Sequence, residues 1–435
     1  MQATRRNVTL GLGAMALSAC GGVPMVSARG GVRPPEPVMR AVPNAGYDAW
    51  VQGFRARASS RGISPATFDT AFRTAGFLPD AIERDRNQTE FKRSLEDYLS
   101  IAASDERIAM GRGALARHGS VLSEIEGRYG VEPQVVAAVW GLESFYGTRK
   151  GNVPVISALS TLAYDGRRGE FFESQLVAAL RILQNGDVAP TGMTGSWAGA
   201  MGHTQFIPTS YLEFAVDFRG DGRRDIWSED PTDALASTAA YLSRSGWRRG
   251  QPWGVEVRLP AGFDTGLAGR GRGLAPSAWG GMGVRDAGGG AVADYGPSSI
   301  ILPQGASGPA FMIFGNFNVI LRYNNAESYA IGVGHLSDRL RGGGPIRAAF
   351  PPDATGLTKA DRQELQRRLT AAGFDTEGTD GVIGARTRAA IEAYDVQRRP
   401  QTAGVVLANR QGGPEQCLEI VEQRAPDGFV DLEAV

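Results

Sequence analysis

Val135-Val136-Ala137-Ala138-Val139-Trp140-Gly141-Leu142-Glu143-Ser144-Phe145-Tyr146-Gly147 is the stretch on which the reading of this chain turns. It is an apolar helical run that arrives at a single acid. Helical steps back from Glu143 meet Val139, Trp140 and Val136, so the carboxyl shares a face with apolar neighbours. Pro133 suits a first helical turn and Gly147 suits the end. Desolvation penalises the charged form, so a carboxyl in that setting keeps its proton to higher pH. A general acid that protonates a leaving oxygen near neutrality needs that property. The competing reading is a buried Glu satisfied by a hydrogen bond, or one that points to solvent.

The chain of 435 residues can bury several cores, so about two or three domains are expected. Lys+Arg and Asp+Glu each total 46, and that balance gives no reason to expect a nucleic-acid partner. The 59 glycines cluster at the N-terminus, around 266–296 and at 342–344, which marks loops and linkers rather than a fibrous repeat. No stretch after residue 20 is long and apolar enough to span a bilayer.

Residues 1–19 form a targeting segment: Arg5-Arg6, the apolar run Val8 to Ala19, then Leu17-Ser18-Ala19-Cys20. Leu-Ser-Ala-Cys looks like a bacterial lipobox, with Cys20 acylated and the new N-terminus. The paired arginines also resemble a twin-arginine export signal. An ordinary secretory signal is the alternative. The second cysteine, Cys417, then has no disulfide partner, which excludes a disulfide scaffold. Residues 20–44, with Gly30-Gly31-Val32-Arg33-Pro34-Pro35-Glu36-Pro37, read as a disordered tether.

From Tyr47 to about Arg128 the pattern is helical, and further helices are expected at 131–147, Ile156–Leu162 and Phe171–Leu183. Thr191 to Thr204 reads as Gly-rich loop, and helices follow from Thr209-Ser210 and over Pro231 to Gly246. Periodicity then changes. Val255-Glu256-Val257-Arg258-Leu259 alternates as a half-buried strand does. Ile300–Leu302, Phe311–Phe314 and Val319–Arg322 are also strand-like, which predicts a small β domain over about 250–322 before a last helix at Ser328–Leu340. Residues 342–355 read as a linker and 356–425 as a separate C-terminal module. The fold class expected is α+β, predominantly α.

The Glu143-Ser144-Phe145-Tyr146-Gly147 segment is followed by Gly195-Ser196-Trp197-Ala198-Gly199-Ala200-Met201-Gly202-His203-Thr204-Gln205-Phe206-Ile207-Pro208-Thr209-Ser210-Tyr211, then by Arg322-Tyr323-Asn324 and Tyr329. Together these resemble the membrane-bound lytic murein transglycosylase B family over roughly residues 45–341. The resemblance implies a lysozyme-like, mostly helical catalytic core with a small inserted β domain. It implies cleavage of the β-1,4 bond between N-acetylmuramic acid and N-acetylglucosamine in peptidoglycan glycan strands, leaving 1,6-anhydromuramyl ends. Glycosidases ordinarily use two carboxylates. Here the sugar's own C6 hydroxyl can attack C1, so one Glu can act as acid and then as base. By motif position Glu143 is that residue and Ser196 orients it. Gln205, Tyr323, Asn324, Tyr329 and Tyr146 line the substrate cleft. Tyr and Asn suit sugars through an apolar face plus directed hydrogen bonds. Arg168, paired with Arg167, matches an arginine pair suited to peptide or lactyl carboxylates; a solvated charge pair is the alternative.

No cofactor is required for that chemistry, but Asp217-Phe218-Arg219-Gly220-Asp221-Gly222-Arg223-Arg224-Asp225-Ile226-Trp227 resembles the family's EF-hand-like loop. That implies a structural calcium ion on Asp217, Asp221, the Arg223 carbonyl and Asp233. Arg219 stands where a small oxygen ligand is wanted, and the alternative is a metal-free Asx-rich turn. The C-terminal Asp361–Leu369, Ala372-Gly373-Phe374, Asp380-Gly381-Val382-Ile383-Gly384 and Thr387-Arg388 resemble the peptidoglycan-binding type 1 domain, a small three-helix module. The whole implies a monomeric enzyme of the periplasm, anchored by lipid at Cys20, with the outer membrane favoured because Gly21 follows it. A lysozyme-type muramidase that uses water and a non-catalytic wall-binding scaffold are the alternatives.

Overall fold

The computed structural model describes residues 39–87, 94–353 and 355–398. Residues 1–38, with the expected signal and Cys20, and residues 399–435, with Cys417, lie outside that description. The ordered body begins earlier than the expected tether end at 44. Met39 is buried, the Val42 N–H donates to the Phe77 carbonyl at 3.0 Å, and Asn44 caps the Ala45–Ser60 helix by accepting from the Tyr47 N–H.

The lysozyme-like body is mostly helical. Short polar caps set its helix starts: Ser64, Ser94 and Ser104 each accept a backbone N–H three residues on. One core forms beneath the helices Ala45–Ser60, Val155–Asp165 and Gly169–Asn185. A second surrounds the Pro133–Ser144 helix, whose Val136, Val139 and Trp140 pack with Leu235, Leu242, Ile331 and Leu336. The helix that carries Glu143 is therefore buried on nearly every side, with the helices Thr232–Arg244 and Glu327–Leu340 against it.

Within 191–204, expected as loop, Thr194–Gly195 pairs antiparallel with Val153–Pro154. The inserted sheet has four antiparallel strands in the order Arg285–Asp286, Gly254–Arg258, Ala310–Ile313, Ser299–Ile301. Its own core is Val257, Trp279, Ile300, Met312 and Phe314. Val319–Arg322, expected as a strand, is instead part of the Gly315–Tyr323 helix. Four residues hold too little pattern to separate period 2 from period 3.6. Over the full segment Asn316, Phe317, Ile320 and Leu321 are buried at helical spacing. Asn316 clamps the helix start from its side chain, donating to the Arg248 and Gln251 carbonyls at 2.8 and 2.6 Å.

The 342–355 linker is held rather than free. Glu256 Oε1 accepts the Arg347 and Ala348 N–H groups, and Ile346 and Phe350 pack on the second core. In the C-terminal module the described residues contain two helices, Lys359–Ala371 with a Thr358–Asp361 capping box and Ala385–Arg398, rather than the three expected.

Candidate active site

The Glu143 helix ends in an uncommon way. Phe145, Tyr146 and Gly147 all have left-handed backbone (φ 52°, 57° and 85°). That conformation costs a non-glycine residue free energy and persists only when its surroundings enforce it. Ser144 enforces it here. Its Oγ accepts the Gly147 N–H at 2.9 Å and donates to the His203 carbonyl at 2.5 Å. Trp140 Nε1 donates to His203 Nδ1 at 3.2 Å, and His203 Nε2 donates to the Ser228 carbonyl at 2.7 Å. Burial holds the His203 pKa down, which keeps the ring neutral and suits that pattern. The acid-bearing helix is thus stapled to the Gly195–Tyr211 motif. Trp140, Ser144 and His203 were each visible within the quoted motifs, yet nothing local in the sequence marked them as partners.

Inside the motif, close backbone approach explains two glycines. A Cβ at Gly195 would lie 2.1 Å from the Ala200 carbonyl oxygen, and one at Gly202 would lie 2.3 Å from that of Ile226. Ser196 does not reach Glu143 as expected. It closes this small hairpin, its Oγ accepting the Ala200 N–H at 3.0 Å and its N–H donating to the Ala200 carbonyl. Gln205 adopts φ 52° and donates from Nε2 to the Lys150 and Gly202 carbonyls at 3.0 and 2.8 Å.

Tyr329 is the residue that meets the acid. Its hydroxyl donates to Glu143 Oε1 at 2.6 Å from the Glu327–Leu340 helix. Burial pushes the Tyr323 phenol pKa up and the nearby Glu143 charge adds to it, and the Tyr323 hydroxyl donates to the Thr204 carbonyl at 2.6 Å. Asn324 follows on the exposed rim as the C-cap of its helix. Tyr98, on the Leu95–Ala102 helix, also lies near Tyr329 and was missed. Its spacing with Leu95, Leu99 and Ala102 reads only as a core stripe.

Tyr146, expected in the cleft, is a core residue. Its ring covers Gly141 and Gly111, where a Cβ would meet it at 2.6 and 2.2 Å, and its hydroxyl is buried. The arginine pair divides. Arg167 Nε donates to the buried Asp85 at 2.6 Å, whereas exposed Arg168 lies over the rings of Phe171 and Phe172 at 4.6 and 5.3 Å.

The expected calcium ligands do not fit a cation. Asp217 Oδ1 accepts the Gly220 and Asp221 N–H groups and Oδ2 accepts that of Gly222. Asp221 accepts the Arg223 N–H, and Asp233 accepts those of Phe218 and Asp225. Arg219 pairs with Glu124 at 2.5 Å. Among the described residues no three acids converge as metal ligands. The loop is a set of Asx turns whose carboxylates accept the loop's own backbone N–H donors.

Glu143 itself is partly open to solvent but walled by the second core, and burial raises its pKa from 4.5 to about 7 against the opposing hydrogen bond from Tyr329. No second carboxylate acts on it among the described residues. The arrangement offers one half-protonated carboxyl at neutral pH, oriented by a phenol. Tyr329→Phe removes a donor that favours the charged form. We expect the alkaline limb of kcat/KM to move up from about pH 7 by roughly half a unit to one unit, with a rate loss of about tenfold. An unmoved limb in a pH–rate profile rules out the contact as a tuning device.

Residues 46–338 match the transglycosylase SLT domain, and residues 358–406 match the putative peptidoglycan binding domain. The chain is 33% identical over 215 residues to the membrane-bound lytic murein transglycosylase B of Escherichia coli (strain K12), a match covering 48% of this chain. It spans 56% of that curated relative, little more than half its length. Among solved structures, SltB3 of Pseudomonas aeruginosa is 49% identical with a TM-score of 0.70, covering 81% of this chain and 95% of that one. SltB3 is solved with NAG-NAM-pentapeptide and with NAG-anhNAM-pentapeptide. The Escherichia coli lytic transglycosylase Slt35, solved with calcium, is 25% identical with a TM-score of 0.58 over 71% of this chain and 98% of that one. With the match running through both halves of the site, this chain belongs to the transglycosylase SLT domain family.

Proposed function

We propose that this protein is a lytic transglycosylase that cleaves the β-1,4 MurNAc–GlcNAc bond of peptidoglycan, with Glu143 as the only acid/base. The observation that carries this reading is the desolvated Glu143 carboxyl held by Tyr329, with no second carboxylate acting on it among the described residues. The protonated carboxyl gives its proton to the glycosidic oxygen as the C1–O bond breaks. The carboxylate so formed takes the proton of the C6 hydroxyl as that oxygen bonds to C1, which returns Glu143 to its acid form. The product is a 1,6-anhydro end, and no water is consumed. Tyr329 steadies the carboxylate during the charged half of the cycle. Tyr323, Asn324 and Gln205 hold the sugar, and Ser196 serves through the loop that frames the cleft. The relatives' complexes with NAG-NAM-pentapeptide and NAG-anhNAM-pentapeptide support the substrate class.

The reading extends to a lipid anchor at Cys20, a periplasmic and outer-membrane location, a wall-binding role for the C-terminal module, and a monomer. Tethering and wall binding raise the local concentration of substrate for a weakly binding cleft. Among the described residues no helix is long and apolar enough to cross a membrane. The test is mass spectrometry of sacculi digested by the protein freed of residues 1–20. Anhydro-ended muropeptides are expected. Products with an added water identify a hydrolysing muramidase, and no released muropeptides identify a wall-binding scaffold.

A further inference from the structure

Trp140 stands between two of the chain's three histidines, its ring centroid 5.5 Å from that of His118 and 5.7 Å from that of His203. An indole N–H can only donate, so the bond from Trp140 Nε1 to His203 Nδ1 at 3.2 Å requires that nitrogen to carry no proton. The ring proton therefore sits on Nε2, which donates to the Ser228 carbonyl at 2.7 Å. The same carbonyl accepts Lys150 Nζ at 3.3 Å. One tautomer of one neutral ring thus ties the acid-bearing helix to the segment around Ser228.

The ring also bears on the turn that follows Glu143. A Cβ at Gly147 would lie 2.4 Å from His203 Nδ1, so the left-handed turn closes against that nitrogen. His203 is 3% exposed and clamped at its main chain, its N–H donating to the Ile226 carbonyl at 3.0 Å and its carbonyl accepting Ser144 Oγ. A proton added at Nδ1 would meet the Trp140 N–H donor against donor, with Gly147 packed beside it. With the main chain fixed, the ring relieves that contact only by displacing Trp140 or the turn. Both belong to the segment that carries Glu143.

Burial is the largest influence on the ring and holds it neutral; the Ser228 carbonyl, Glu229 and Asp225 favour a proton there and Lys150 opposes one. On the far side of Trp140, burial and Arg117 hold His118 neutral against Asp230. Tyr146 meets Trp140 edge-on at 5.7 Å, and Glu143 is turned to Tyr329. A single acid/base gives kcat/KM only an alkaline limb, because the free enzyme must hold the Glu143 proton. An acid limb reports a different group. We propose that His203 is a positioning residue for Glu143 and sets that acid limb: the neutral ring holds the turn behind the acid, and a proton at Nδ1 releases it. The proposal rests on the Glu143 reading above.

The test pairs nitrogen NMR of the three histidine rings with kcat/KM on peptidoglycan against pH, on the same protein. His118→Asn and His335→Asn assign the other two rings. At neutral pH the His203 ring is expected to carry its proton on Nε2 alone. It should gain the Nδ1 proton below pH 6.5, at the midpoint where kcat/KM begins to fall about tenfold per unit. His203→Asn keeps an acceptor for Trp140 but does not titrate, so it should turn over more slowly at neutral pH and lose the acid limb. His118→Asn should retain the limb. A merely structural His203 would lower the rate equally at every pH and leave the limb in place, which overturns the proposal. So does a proton on Nδ1 at neutral pH, a limb that disappears with His118→Asn, or ring and rate midpoints more than about half a unit apart. Should His203→Asn not fold, the wild-type tautomer and the two midpoints still decide. Absence of turnover by the wild type at every pH overturns the transglycosylase reading, and this proposal with it.

Discussion

Glu143→Gln is expected to lower turnover of peptidoglycan by about 10³-fold or more, because in the proposed reaction the same group first gives and then takes a proton and the amide can do neither. The amide oxygen can still accept from the Tyr329 hydroxyl, so the geometry at 2.6 Å is kept while the chemistry is lost. The same substitution is expected to stabilise the fold. The Glu143 pKa is raised on folding from 4.5 to about 7, so the folded state binds this proton more tightly than the unfolded chain. Its contribution is fully present below pH 4.5 and is lost as pH rises through about 7. Above that, the buried charge costs up to about 3 kcal/mol, taking roughly 1.4 kcal/mol per pKa unit. Thermal unfolding of wild type and Glu143→Gln should therefore nearly coincide at pH 4 and separate by several degrees at pH 8, the variant being the more stable. A variant that is inactive and equally destabilised at both pH values would show Glu143 to be a structural residue. The wild-type activity should fall about tenfold per pH unit above the same midpoint, since only the protonated form can release the leaving oxygen.

Arg362→Met is expected to cost about 3–5 kcal/mol, concentrated in the C-terminal module. The Arg362 side chain is only 2% exposed and bridges the module to the catalytic body. Its guanidinium donates to Asp97 at 2.6 Å on one side, and to Asp353, the Leu357 carbonyl and the Gly381 carbonyl on the other. A methionine fills the volume but removes the donor to Asp97, to Asp353 Oδ2 and to the Gly381 carbonyl, while Asp353 Oδ1 and the Leu357 carbonyl keep their backbone donors. Differential scanning calorimetry should show the module melting ahead of the body as a separate transition, and hydrogen exchange should speed up across 355–398. A single unshifted transition would mean the ion pairs add nothing beyond packing. Asp97→Asn, which keeps a hydrogen-bond acceptor, is expected to show a weaker version of the same change.

Legibility followed the range of the interactions. The helix expected at 131–147 could be read because its apolar residues and its proline start are local signals, and burial of Val136, Val139 and Trp140 bears that out; it ends at Ser144, capped by left-handed Phe145, before the expected Gly147. The helical Val319–Arg322 could not be read, since a four-residue β-branched and apolar run fits either period until its neighbours bury one face. Ser196 and Tyr146 lie within the family-like motifs, yet their side chains turn to a hairpin and to the core. The Asx-rich loop had the composition of a cation site, but its carboxylates turn to the loop's own backbone N–H groups and no three of them converge among the described residues.

By itself the sequence singled out Glu143 as the candidate acid and the kind of body that holds it, because apolar periodicity and motif spacing are properties of neighbours along the chain. The tertiary structure decided which side chains meet. Tyr329 reaches Glu143 across 186 positions, His203 receives Ser144 across 59, and Arg362 joins Asp97 across 265. Such contacts depend on how helices pack, and so does the desolvation that sets the Glu143 pKa, since it comes from atoms contributed by several distant segments at once.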